Sequence, residues 1–121
     1  MKPRIIRQDL AGEYHTPERC FICETWGSDD DPELSVARAR VPAGVVTQLH
    51  ALEGVAERYL VVQGSGLMEV GGLEAREVAA GDMVIIPAGT PQRIRNTGAG
   101  DLVFYCLCSP RFTPDCYRAL E

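Results

Sequence analysis

Residues 44–64 read GVVTQLHALEGVAERYLVVQG, and residues 81–96 read GDMVIIPAGTPQRIRN. Both stretches open on a glycine and run through short segments of Val, Ile, Leu and Tyr that favour strands. Each also carries isolated polar side chains, His50 and Glu57 in the first and Gln92 and Asn96 in the second. Gly64, Gly81, Pro87 and Gly89 punctuate the runs as turn residues. If the runs belong to one closed sheet, His50, Glu57 and Gln92 converge on an interior point. A ligand pocket inside a small barrel is the first expectation.

The same punctuation continues in both directions. Strands are expected over 20–26, 34–41, 57–63, 67–70, 75–78, 83–86, 92–95 and 102–108, separated by glycine-rich turns and with little helical periodicity. That pattern predicts an all-β antiparallel barrel or sandwich over residues 18–112. Residues 1–17 lack a period and hold two prolines, which predicts an arm that pairs with a sheet edge or a second subunit. Residues 113–121 read as a short C-terminal helix, with Thr113 as N-cap and Pro114 at the first helical position.

A chain of 121 residues suits one domain. Its formal charge is −5, from 17 acidic and 12 basic residues, so a polyanion such as nucleic acid gains no global attraction. No apolar run approaches the roughly 20 residues of a spanning helix, and residues 1–10 are too polar for a signal peptide, which predicts a cytoplasmic protein without a membrane partner. Five cysteines, an odd number, are expected to be reduced thiols.

Imidazole, carboxylate and amide oxygen can all ligate a divalent ion, so His50, Glu57 and Gln92 form a candidate metal set; Glu57 is also a candidate general base. A lone histidine is more commonly a satisfied core or surface imidazole, and it is the spacing that lifts this one above that reading. Arg38 and Arg40 share a strand face and, if that face is interior, would bind an anionic ligand there. Tyr59 shares the face of Glu57. Cys106 and Cys108 share a face beside the pocket and are expected as buried inert thiols, with a thiolate metal ligand as the alternative. Trp26 and Phe104 are expected in the core.

The spacing resembles the two motifs of the cupin superfamily. Gly44, His50, Leu52, Glu57 and Gly64 stand at the intervals of the first, and Gly81, Pro87, Gly89, Gln92 and Asn96 at those of the second. The region after Gln92 is similar to small single-domain bacterial cupins. The resemblance implies a double-stranded β-helix, or jelly roll, with an interior site that holds iron, manganese, nickel or zinc through three histidines and a glutamate. Here Leu52 and Gln92 replace two of those histidines, leaving His50 and Glu57 as standard ligands. It further implies a homodimer and a small polar organic ligand, with either metal-dependent chemistry on an organic acid or sugar derivative or a non-catalytic metabolite-binding module with a lapsed metal site.

Overall fold

A computed structural model describes residues 1–121. A single 3-10 turn at Leu10–Gly12 leads to β1 (Tyr14–His15), β2 (Phe21–Trp26), β3 (Ser35–Val41), β4 (His50–Leu52), β5 (Ala56–Gln63) and β6 (Ser65–Val70). Then follow β7 (Arg76–Ala79), β8 (Met83–Ile86), β9 (Gln92–Asn96), β10 (Leu102–Ser109), a 3-10 turn at Pro114–Cys116 and β11 (Tyr117–Ala119). One antiparallel sheet has the order β1-β2-β3-β10-β5-β8 and the other β11-β4-β9-β6-β7. Non-consecutive neighbours in both sheets are the mark of a jelly roll.

Alternation decides what lies between the sheets. On β5, Glu57, Tyr59 and Val61 are buried while Arg58 and Leu60 turn outward; on β9, Gln92, Ile94 and Asn96 are buried. The main core joins Ala39, Val41, Tyr59, Val61 and Phe104 of the first sheet to Met68 and Ile94 of the second. Two motif residues serve this frame. A Cβ on Gly64, which has φ +82°, would lie 2.6 Å from the Asp101 carbonyl oxygen, so only glycine permits the β5–β6 turn to press against β10. Asn96 donates to the carbonyls of Val41 (2.8 Å) and Gly100 (2.7 Å) and accepts from the Gly98 amide (2.8 Å), which ties β9 to the other sheet.

Two expectations need correction. Residues 113–121 form no helix: Pro114 starts one 3-10 turn, and Tyr117–Ala119 then pairs with β4 in the register Tyr117↔Leu52, Arg118↔Ala51, Ala119↔His50. An isolated helix of two turns has little stability of its own, whereas the edge of β4 offers backbone partners. Arg38 and Arg40 do not enter the barrel, because the inward face of β3 is Ser35, Ala37, Ala39 and Val41. The arginines lie on the outer face and clasp Glu13 of the N-terminal arm, at 3.3 Å from Arg38 and 2.7 Å from Arg40. The Arg40 hydrogen bond holds the Glu13 carboxyl below its ordinary range. The arm is also joined to the sheet by β1, paired with β2 as Tyr14↔Ile22 and His15↔Phe21.

Candidate functional site

A cavity of about 400 Å³ opens at one end of the barrel, and His50, Leu52, Glu57, Tyr59, Cys106 and Cys108 all reach its wall. They come from both sheets. His50 and Leu52 alternate on β4; Glu57 and Tyr59 on β5; Cys106 and Cys108 on β10. Gln92, opposite His50 in the β4–β9 pairing, lies immediately behind this wall and is completely buried.

Gln92 does not present its amide oxygen to the cavity. The Tyr59 hydroxyl donates to Gln92 Oε1, and Gln92 Nε2 donates to Glu57 Oε1 at 2.8 Å. Glu57 Oε2 accepts from the Cys108 thiol at 3.5 Å. Tyr59, Gln92 and Glu57 therefore form a buried polar chain that joins the two sheets, with each amide atom already used. Burial drives the Tyr59 phenol far above its ordinary pKa, so it stays a donor. Burial also raises the Glu57 carboxyl, against the Gln92 hydrogen bond that lowers it.

His50 is set differently. Its Nδ1 donates to the Gln48 carbonyl oxygen at 2.7 Å, which assigns the proton to Nδ1 and leaves Nε2 as an acceptor. The ring stacks on Tyr117, with centroids 4.8 Å apart and planes 15° apart, so the C-terminal strand also orients it. Burial lowers the His50 pKa and favours the neutral imidazole. The nearest charged atom to Nε2 is Glu18 Oε1 at 4.0 Å, beyond hydrogen-bonding distance.

These residues do not fit the metal centre that the motifs imply. His50 Nε2 and Glu57 are two donors, Leu52 offers a hydrocarbon side chain, and Gln92 turns its NH₂ toward Glu57 and its oxygen toward Tyr59. No three His, Cys, Asp or Glu side chains are grouped to hold an ion. The thiols belong to no such group either, and burial pushes Cys20 up to about 12 and raises Cys106 and Cys108, which favours the neutral thiol in each. Trp26, expected in the core, is half-buried at the cavity wall, with Nε1 donating to Asp31 at 2.8 Å. Phe104 is in the core as expected.

Glu18, Gln48 and Tyr117 escaped the sequence reading. Nothing in the spacing of residues 16–20 marks Glu18. It is positioned by a tight turn in which the Arg19 amide donates to the Thr16 carbonyl (3.0 Å) and Arg19 takes φ +75°. Tyr117 was hidden by the helical reading of the tail. Burial raises the Glu18 carboxyl to about 7, the Cys20 thiol opposing with a weak hydrogen bond. A carboxyl raised in the folded state binds its proton between the unfolded value near 4.5 and about 7, so this contribution to stability is lost as pH rises through that window. Glu18→Gln should match the parent at low pH and exceed it at mildly alkaline pH by on the order of 2 kcal/mol, read from urea midpoints. A constant difference at every pH would place the carboxyl in ordinary solvent.

Comparison with known proteins matches residues 37–108 to a family described as a cupin domain. The chain belongs to the cupin family. An uncharacterized protein of Methanocaldococcus jannaschii is 37% identical to this cupin over 87 residues, covering 72% of this chain and 69% of that protein. An oxalate-binding protein of Thermotoga maritima is 35% identical over 71 residues, 59% of this chain and 58% of that protein. Among solved structures, a nucleoside dehydratase from Streptomyces superposes with a TM-score of 0.77 at 18% identity, covering 98% of this chain and 92% of that chain. At that identity the likeness establishes the fold. In this cupin no helix is long and apolar enough to cross a membrane.

Proposed function

We propose that this cupin is a small-molecule enzyme that works by proton transfer through His50 on an uncharged or cationic organic compound bound in the barrel. The observation that carries this reading is His50 itself. Its tautomer is set by Gln48, its ring is fixed by Tyr117, and its basic Nε2 opens onto a cavity large enough for a small metabolite. The carboxyl groups of Glu18 and Glu57 line the same cavity, and Leu52 supplies an apolar wall.

The charge of the lining selects among ligands. Glu18, Glu24 and Glu57 line the cavity and no lysine or arginine does. A dicarboxylate such as oxalate, the ligand named for the Thermotoga relative, would meet like charge here without a compensating cation. A sugar derivative or other neutral polyol meets hydrogen-bond acceptors instead. The expected anionic ligand rested on Arg38 and Arg40, which face Glu13 outside the barrel.

The test uses untagged protein in EDTA with a panel of sugars, nucleosides, amines and small dicarboxylates, scored by ligand-observed NMR for binding and for product. Uncharged or cationic compounds should bind and dicarboxylates should not. For a turned-over compound, His50→Gln should keep binding within severalfold and lose roughly 100-fold or more in rate, the usual scale of general acid–base catalysis. Dicarboxylates binding best would overturn the reading. Binding without turnover of any compound would leave a metabolite-binding module.

A further inference from the structure

We propose that the pocket of this cupin recognises an ammonium group, held at the Glu18–His50 pair inside an aromatic enclosure. The inference rests on the pocket reading above and narrows its ligand class.

His50 is nine-tenths and more buried, at 2% exposure, and its Nε2 has no hydrogen-bond partner although it opens into the cavity. An acceptor with no partner in the protein that faces a cavity is free to take a donor from a ligand in place of water. The next acceptor is Glu18 Oε1, 4.0 Å away. Two acceptors at that separation can both be reached by N–H bonds of one nitrogen placed about 2.8 Å from each, with an angle at nitrogen of roughly 90°, near enough to tetrahedral for charge-assisted hydrogen bonds. A hydroxyl has one proton and satisfies one of them.

The surroundings suit a cation for two further reasons. Tyr14, Trp26, Tyr59, Phe112 and Tyr117 line the same cavity; one face of Tyr59 is covered by Phe104 and one of Tyr117 by His50, and aromatic faces left open attract ammonium groups and cover their alkyl portions. No lysine or arginine lines the cavity, so no cation of the protein competes with a ligand for Glu18 Oε1. The position of Glu18 is built rather than incidental. Arg19, the chain's one non-glycine residue with positive φ, donates from Nε to the Val46 carbonyl at 2.8 Å, and the Gln48 amide donates to the Glu18 carbonyl at 3.0 Å. These bonds lock the turn that hangs Glu18 over His50, and Gln48 is also the residue that sets the imidazole tautomer.

Three probes of one shape and different charge test this: cyclohexylmethylamine, cyclohexylmethanol and cyclohexanecarboxylate, titrated in EDTA by calorimetry or Trp26 fluorescence against the parent and Glu18→Gln. The amine should bind at least tenfold more tightly than the alcohol, and the carboxylate should not bind. Glu18→Gln should abolish the preference, bringing the amine to within about twofold of the alcohol measured on the same variant, with unaltered circular dichroism showing an intact barrel. Equal binding of amine and alcohol, or an amine preference that survives Glu18→Gln, would overturn the ammonium assignment while leaving a pocket for uncharged compounds. Tightest binding by the carboxylate would overturn both readings, and binding of none of the three would overturn the ammonium assignment.

Discussion

The double variant Leu52→His/Gln92→His should take up about one equivalent of zinc or manganese per chain, where the parent purified without a histidine tag should hold only a small fraction, on the order of 0.1. His50 and Leu52 are two apart on β4 and so share a face, and both reach the cavity. Gln92 sits opposite His50 in the β4–β9 register and touches Glu57. Imidazoles at 52 and 92 would thus join His50 and Glu57 as a four-donor set, while the parent offers two donors. The substitution at 52 removes a buried residue from the small cluster with Val55, Cys108 and Cys116, so the metal-free variant should be destabilised by roughly 2–3 kcal/mol. Metal should restore that loss, since an ion that binds the folded chain stabilises it by mass action. Elemental analysis after dialysis, with thermal midpoints with and without metal, gives the readout. A well-folded double variant that remains metal-free would show that positions 52 and 92 do not converge with His50 and Glu57.

Phe104→Ala should cost about 3–5 kcal/mol, a large part of the 5–15 kcal/mol typical of a domain. Phe104 is 1% exposed on β10, at the middle of the larger sheet, and stacks on Tyr59 with centroids 4.2 Å apart. Its removal leaves a void against the ring whose hydroxyl orients Gln92, and Gln92 in turn holds Glu57. Phe104→Leu, which keeps most of the volume, should cost only about 1–1.5 kcal/mol. Urea unfolding measures both, and an alanine variant within roughly 1 kcal/mol of the parent would mean that the neighbours collapse into the gap.

Much of the barrel is legible in the chain because strand alternation and glycine turns are local. The runs around Tyr59, Val84 and Ile94 match β5, β8 and β9 within a residue or two, since a period of two with one face buried leaves little freedom of register. The tail misled for an equally local reason: Thr113 and Pro114 are a proper helix start, and the 3-10 turn does begin there. What continues beyond Cys116 is set by the vacant edge of β4, which no window of residues 113–121 reveals.

The site divides along the same line. Motif spacing by itself determined that His50, Leu52, Glu57 and Gln92 belong to one region of a small cupin barrel, because intervals of glycine and strand residues fix which side chains point inward. Tertiary structure alone decided what those side chains do. It turned the Gln92 amide into a link between Tyr59 and Glu57, placed Arg38 and Arg40 outside against Glu13, and brought Glu18 within 4.0 Å of the His50 nitrogen. The physical reason is that spacing specifies the face of a strand, whereas the partner of a buried polar atom is whichever group from a distant segment the closed sheet carries to it.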